Sequence, residues 1–293
     1  MWKTLAIMFL AMSLIPSGDT AGKLLSDTFG VHPLFVAWSR FAIGVLLVIP
    51  FFSRESIGLL RDWRIWLRAL FLMGGITSLQ FALRTEPIAN VFAAFFIGPV
   101  FSFVLSALLL REPVTPARFA MLLLGFIGVL IVVRPGFGVT PNLGFAVLAG
   151  LFYGSYLTAS KWLAHVASAR TLMVTQLLIP TLLLAPVAVP QMPALDLNLS
   201  LLILISAACS TLGNFLLQVA YGRAPANALA PYVYFQLIAA TTLGWLVFAN
   251  LPDALTWLGL ALITGAGLCS ALLTIRHAAR RSRRPATQGP NVT

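Results

Sequence analysis

Long apolar runs alternate with short polar breaks along the whole chain. A helix needs about 20 mostly apolar residues to cross the hydrocarbon core of a bilayer, and ten runs reach that length. The breaks between them hold turn and helix-stop residues, as in "REPVTP" and "RPGFGVTPN". The ten predicted spans cover roughly residues 4–26, 33–52, 64–84, 87–109, 115–133, 143–163, 170–189, 199–221, 226–248 and 255–275.

The composition agrees with this pattern. Hydrophobic residues make up 59% of the 293 residues, and charged residues make up only 9%. Soluble proteins carry about 25% charged residues, so the charges of this chain are too few to cover the surface of a soluble protein. We therefore predict an all-α integral membrane protein. The short breaks leave no room for a soluble domain, and only the polar tail at 276–293 is expected to be disordered.

The basic residues predict the orientation. The net charge is +11, and an even number of spans places both termini on one side, together with fifteen of the 19 Lys and Arg residues. Short cytoplasmic loops are enriched in Lys and Arg, so both termini are predicted to be cytoplasmic, in an inner (plasma) membrane. The other side receives Lys23, Arg40, Arg84 and Arg134. The tail "RHAARRSRR" is interpreted as an anchor for anionic lipid, with nucleic-acid binding as the alternative.

The two halves of the chain match at a constant offset of 138 residues. The segment "SGDTAGK" at 17–23 aligns with "SYLTASK" at 155–161, and "QFALRTEPIAN" at 80–90 aligns with "QVAYGRAPANA" at 218–228. Each half holds five helices, so the second copy is predicted to enter the membrane upside down. Such inverted repeats are typical of secondary transporters, with the substrate between the repeats. The predicted units are the repeats 1–136 and 140–275 and the tail 276–293.

These segments resemble the drug/metabolite transporter superfamily, specifically its EamA-domain family. The resemblance rests on the two first-helix ends quoted above, on "PLFVAWSRF" at 33–41, and on "EPIANVFAAFFIGPVFSFVLSALLLREPVTPARF" at 86–119. The second half departs from the pattern, with Leu178 where the first half has Arg40. Within the family, the chain looks most like the bacterial aromatic amino-acid exporters. The resemblance implies an exporter or permease for a small metabolite.

Polar side chains inside the predicted spans are the candidate site, because such groups usually face a bundle interior or a hydrated cavity. The eighth span carries Ser206, Ser210, Asn214 and Gln218 at a spacing of four. This stripe favours a hydrated pathway, while hydrogen bonding between helices is the alternative. Aromatic side chains in the spans are more often packing residues than binding residues, but they would form the walls for an aromatic or apolar substrate. The full candidate set is Ser17, Asp19, Thr20, Gln80, Phe95, Tyr156, Asn214, Gln218, Tyr221, Tyr232 and Gln236.

Asp19 is the acidic residue most clearly inside a span. It forms a ladder with Lys23 and Asp27 at a spacing of four. Asp19 is therefore a candidate either for coupling transport to a proton or cation, or for binding a substrate amine. A static ion pair with Lys23 is the alternative. Pro16 is expected to break the helix, and Gly18 is expected to allow a close helix approach with Gly22.

The function predicted from these observations is export of small metabolites, with aromatic amino acids favoured, by alternating access. Another metabolite or a drug-like cation is the alternative substrate. "PSGDTAGK" lacks the residues of a phosphate-binding loop at two positions. No metal site or cofactor is predicted, because the His residues are scattered and Cys209 and Cys269 lie in apolar runs. An embedded enzyme or a channel is less favoured, and a monomer or a homodimer both stay open.

Overall fold

The computed structural model describes residues 2–52, 54–111, 116–133, 140–163, 166–221 and 234–282. In these ranges the chain forms twelve α-helices. Their bounds are α1 Trp2–Lys23, α2 Pro33–Val48, α3 Arg54–Gly58, α4 Trp63–Thr85, α5 Ile88–Phe95, α6 Ile97–Leu109, α7 Pro116–Val133, α8 Pro141–Trp162, α9 Ala169–Ala188, α10 Leu197–Tyr221, α11 Phe235–Phe248 and α12 Ala254–Ser282. A π-helical turn extends α1 to Thr28.

Each of the ten predicted spans coincides with helix in the described part of the chain. Five helical segments there are long and apolar enough to cross a membrane. They are Trp63–Thr85, Ile88–Leu109, Pro141–Trp162, Thr171–Gln191 and Leu197–Leu217. Shorter apolar helices occupy Pro33–Val48, Phe119–Val133, Phe235–Phe248 and Ala254–Cys269. The part of the ninth predicted span before residue 234 lies outside the described residues.

The fourth predicted span is divided into α5 and α6 at Phe96. Pro99 lacks the N–H that would bond the carbonyl of Phe95 four residues earlier, so a regular helix is interrupted at this point. The backbone of α8 at Gly150 packs directly against that carbonyl. There is no room for a side chain, since a Cβ at Gly150 would lie 2.6 Å from the Phe95 oxygen. The interruption therefore brings α5 and α6 into direct contact with the backbone of α8.

Two expectations about helix ends differ from the structure. Helix α1 continues through Pro16 without a break, because proline removes only one backbone donor and its fixed φ is compatible with helical backbone. Helix α12 runs to Ser282, so the first part of the tail at 276–293 is helical rather than disordered. Ala278 and Ala279 favour helix in this segment.

The contacts between helices repeat in the two halves of the chain. When each helix of a contacting pair is replaced by its counterpart at the offset of 138 residues, the result is again a contacting pair. The counterparts are α1 and α8, α2 and α9, α4 and α10, and α7 and α12. The contact of α1 with α10 corresponds to that of α8 with α4, and α2 with α10 corresponds to α9 with α4. The pairs α2–α9 and α7–α12 correspond to themselves. The packing therefore follows the offset that relates the two halves of the sequence.

The contact between α1 and α10 depends on a small residue. A Cβ at Gly18 would lie 2.9 Å from both the Ser206 carbonyl oxygen and the Ser210 amide nitrogen of α10. The two backbones therefore touch at a point where no side chain fits, as expected for small residues at helix interfaces in membranes.

We predict opposite effects for two glycine substitutions. Gly18→Ala should lower the free energy of unfolding by about 1–3 kcal/mol, because the added methyl overlaps the α10 backbone. Gly265→Ala should be neutral or stabilising by up to about 1 kcal/mol, because a Cβ there meets no heavy atom within 4 Å. Thermal unfolding of the purified variants in detergent measures both effects, and equal destabilisation would contradict the assigned α1–α10 contact.

Candidate functional site

A buried arginine joins four helices, α1, α2, α4 and α10, near the C-terminal end of α1. Arg40 of α2 donates from Nη1 to the Asp19 carboxylate at 2.5 Å and from Nη2 to the Gly18 carbonyl at 2.5 Å. Its Nε donates to the Ser206 hydroxyl at 3.0 Å, and that hydroxyl donates to the Gly18 carbonyl at 2.9 Å. The Gln80 amide oxygen faces the guanidinium at 3.1 and 3.2 Å when the amide is oriented to accept. We call Gly18, Asp19, Arg40, Gln80 and Ser206 the Arg40 junction.

The partner of Asp19 is therefore Arg40 and not Lys23, which corrects the expected ladder along α1. Lys23 instead pairs with Asp27 at 3.1 Å and donates to the Leu83 carbonyl at 2.8 Å. The two charges of the Arg40 junction are buried, with Arg40 and Asp19 at 4% and 3% exposure. Arg40 was expected at the membrane edge, but it lies among helices because its five N–H groups find oxygen acceptors there.

A second buried arginine lies near the N-terminal end of α4. Arg68 donates from Nε to the Ser160 hydroxyl at 2.8 Å, and from Nη1 to the Leu172 carbonyl at 3.2 Å. Its Nη2 donates to the Tyr156 hydroxyl at 2.9 Å and to the Gln176 amide oxygen at 2.7 Å. The Tyr156 hydroxyl in turn donates to Gln176 at 2.7 Å, and the guanidinium lies 4.7 Å from the Tyr156 ring centroid. We call these five residues the Arg68 junction.

Helix α4 connects the two junctions. Arg68 and Gln80 are twelve residues apart on it, which corresponds to about 18 Å at 1.5 Å per residue. Apart from Gln80 of α4, the Arg40 junction is built from α1, α2 and α10, and the Arg68 junction is built from their counterparts α8, α9 and α4. The bundle therefore places one buried guanidinium near each end, in equivalent corners of the two halves.

The structure brings only some of the predicted site residues together. Asp19 and Gln80 meet in the Arg40 junction, and Tyr156 belongs to the Arg68 junction. The Ser17 hydroxyl donates to the Ser13 carbonyl at 2.9 Å and the Thr20 hydroxyl bonds Pro16, so both bonds stay within α1. Ser206 of the eighth-span stripe acts between helices, as the alternative interpretation of that stripe expected.

The other predicted residues lie outside both junctions. Phe95 packs on Tyr153, with ring centroids 4.9 Å apart. Asn214 donates to the Ser210 carbonyl of its own helix at 2.8 Å, and Gln236 is half-buried at the start of α11. Tyr232 falls outside the described residues, as do the side chains of Gln218 and Tyr221.

Sequence reasoning missed Arg68, Ser160 and Gln176 as site residues. A signal for Arg68 was present, because a charged residue within a predicted span is usually functional or paired. The count of basic residues instead assigned it to the membrane edge. Within the described residues, no three His, Cys, Asp or Glu side chains lie close enough to hold a metal ion.

Comparisons with known proteins match nearly the whole chain. The sequence profile of the EamA-like transporter family matches residues 2–134 and 141–272. A riboflavin transporter of Brucella anthropi is 27% identical over 271 residues, which cover 89% of this chain and 95% of that protein. An S-adenosylmethionine uptake transporter of Rickettsia prowazekii is 25% identical over 269 residues, which cover 89% of this chain and 90% of that protein.

A protein of known crystal structure shares the fold. It superposes with a TM-score of 0.65 at 21% identity, covering 94% of this chain and 98% of that chain. Neither named relative is described as an aromatic amino-acid exporter. The narrower resemblance to those exporters therefore stays a prediction.

We predict strong coupling between Asp19 and Arg40 in stability. Asp19→Asn or Arg40→Gln alone should lower the free energy of unfolding by about 3–5 kcal/mol, because each leaves one buried charge without its partner. The double variant should lose less than the sum of the two single losses. Unfolding in mixed detergent micelles measures these differences.

The control for this comparison of the single and double variants is Asp62→Asn, at a solvent-accessible position. Hydrogen bonds from Arg64 hold the pKa of Asp62 below its ordinary value, but the pair is solvent-accessible, so its loss should cost less than about 1 kcal/mol. Simple additivity of the Asp19 and Arg40 losses would contradict a direct buried ion pair.

Proposed function

The chain belongs to the EamA-like transporter family, and on that premise we propose that it is a secondary transporter in the bacterial inner membrane. It moves a small metabolite by alternating access between two inverted five-helix repeats, 1–136 and 140–275. Both termini lie in the cytoplasm in this proposal, since fifteen of 19 basic residues fall on that side of a ten-span arrangement.

The observation that carries the proposal is the pair of buried arginine junctions. They occupy equivalent corners built from counterpart helices, α1, α2 and α10 in one case and α8, α9 and α4 in the other. In an inverted repeat, equivalent corners face opposite sides of the membrane. With cytoplasmic termini, the Arg40 junction closes the outer end of the bundle and the Arg68 junction closes the cytoplasmic end.

Alternating access follows when these two closures have similar free energies. Each junction holds together counterpart helices. Opening one end of the bundle while the other stays closed therefore produces two related states of comparable free energy. Asp19 supplies a coupling point, because a proton on its carboxylate would weaken the ion pair with Arg40 at 2.5 Å. This role is the one expected from the position of Asp19 within a span.

The proposed substrate is a metabolite with an aromatic ring, and aromatic amino acids are the favoured class. Phe95, Tyr153 and Tyr156 form a continuous aromatic surface along α5 and α8, with successive ring centroids 4.9 and 6.0 Å apart. Riboflavin and S-adenosylmethionine, named for the two relatives, also carry ring systems. They are the alternative substrates, together with a drug-like cation. Export is the direction that the resemblance to amino-acid exporters favours.

We predict saturable counterflow of aromatic amino acids. Purified protein in liposomes loaded with unlabelled L-tryptophan should accumulate labelled L-tryptophan transiently, because a carrier exchanges substrate across the membrane without net flux. Excess riboflavin and S-adenosylmethionine serve as competitors that test the alternative substrates. A flux that rises linearly with concentration would contradict a carrier, and counterflow of riboflavin alone would replace the amino-acid assignment.

A further inference from the structure

The charge of Arg68 has no carboxylate partner in the described part of the protein. Its four hydrogen bonds go to two hydroxyls, one amide oxygen and one backbone carbonyl, all of them neutral. The ion pairs found among the described residues involve Lys23, Arg40 and Arg64. Arg68 is nevertheless 95% buried, with 5% of its surface exposed.

The Arg40 junction provides an internal comparison. At the repeat offset, Gly18 corresponds to Tyr156 and Gly22 to Ser160. A Cβ at Gly22 would lie 2.5 Å from Nη2 of Arg40, so the same two helix positions face an arginine in both halves. Asp19, which neutralises Arg40, corresponds to Leu157. The second junction therefore also has an arginine beside these two helix positions, but α4 supplies it rather than α9, where Leu178 stands at the position of Arg40, and the junction lacks the built-in negative charge.

A buried guanidinium that is surrounded only by neutral dipoles is incompletely compensated. Its planar donors match the paired oxygens of carboxylates and phosphates. We propose that the Arg68 junction binds the anionic group, a carboxylate or a phosphate, of the molecule that the transporter moves. This assignment rests on the proposed transport function and names the part of the substrate that the site recognises.

The position of the junction gives such a group a short path. Arg68 lies five residues after the start of α4 at Trp63, and Ser160 lies two residues before the end of α8. Leu172 lies three residues after the start of α9. At 1.5 Å per residue, the backbone positions of Arg68 and of its acceptors Ser160 and Leu172 lie about 8 Å or less from these helix ends. A modest separation of α4 from α8 and α9 therefore exposes the guanidinium donors.

The surroundings also fit the rest of an amphipathic substrate. The Tyr156 ring stacks on the Arg68 guanidinium, with 4.7 Å between the guanidinium carbon and the ring centroid. Tyr153 lies about one helical turn further from the C-terminal end of α8, and its ring centroid is 6.0 Å from that of Tyr156. Phe95 continues this surface toward the centre of the bundle. An anion at Arg68 places an attached aromatic ring against Tyr153 and Phe95, where offset or edge contacts stabilise it.

Binding to purified full-length protein in detergent at pH 7 tests the assignment without transport. The probes are 3-phenylpropionate, which carries a ring and a carboxylate, and phenethylamine, which carries the ring and an amine. Inorganic phosphate distinguishes a phosphate source from a carboxylate source. Isothermal titration calorimetry should detect 3-phenylpropionate or phosphate, and phenethylamine should bind at least tenfold more weakly than 3-phenylpropionate.

Two variants should weaken the anion's binding about ten- to a hundredfold, as expected for lost charge-assisted hydrogen bonds. Arg68→Gln removes the guanidinium. Gln176→Glu keeps the shape of the side chain and places a carboxylate at the oxygen that now lies 2.7 Å from Nη2 of Arg68. This second variant supplies the missing counter-ion internally, so it should fold at least as stably while excluding the ligand.

The control is Arg64→Gln, one helical turn from Arg68 on α4. Arg64 already pairs with Asp62 at 2.6 Å, and its loss should leave the affinity for the anion unchanged. Unchanged affinity in Gln176→Glu, failure of both anionic probes to bind, or equal binding of phenethylamine would each overturn the assignment. Arg68-dependent binding without any counterflow would support this site and contradict the proposed transport function.

Discussion

An apolar helical bundle can hold a guanidinium group only where oxygen atoms meet its donors, and Arg40 and Arg68 impose this requirement on six helices. At Arg40, the absence of a side chain at Gly22 leaves room for the guanidinium, which bonds the α1 backbone at the Gly18 carbonyl. Gly18 itself sets the close contact of α1 with α10. Gly18 and Gly22 of α1 therefore serve both the close packing of the helices and the hydrogen bonding of the buried guanidinium.

The two junctions solve this electrostatic problem differently, and the difference has a functional consequence. The Arg40 junction contains its own carboxylate and is electrically complete. The Arg68 junction uses neutral acceptors from Tyr156, Ser160, Leu172 and Gln176. Breaking the first exposes two opposite charges, whereas opening the second exposes a single positive charge that an anion can neutralise. The pseudo-symmetric halves thus have distinct chemistry at their two ends.

Much of the fold was predictable from the sequence because a bilayer requires long apolar helices. The offset of 138 residues likewise predicted which helices are counterparts, and the contacts of α1, α4, α8 and α10 follow it. The proline positions were harder to interpret. Pro16 leaves α1 continuous, while the segment before Pro99 is interrupted at a point where the backbone of α8 at Gly150 packs beside the freed Phe95 carbonyl.

The site was only partly predictable, since its partners come from helices distant in sequence. Asp19, Gln80 and Tyr156 were found by their polarity within spans, but local spacing assigned Asp19 to Lys23 rather than Arg40. A count of basic residues treats every arginine near a span end as a membrane-edge residue. Arg40 and Arg68 violate that assumption, because both lie inside spans where tertiary contacts supply acceptors.

Spin-label distances at both ends test the central claim of alternating opening most directly. One pair of labels replaces the exposed Phe29 and Leu197, across the α1–α10 end, and the other replaces Trp63 and Trp162, across the α4–α8 end. These are counterpart helix pairs. Alternating access predicts that conditions lengthening one distance shorten the other, as measured by pulsed electron resonance in liposomes. Two distances that stay fixed, or that lengthen together, would contradict the account.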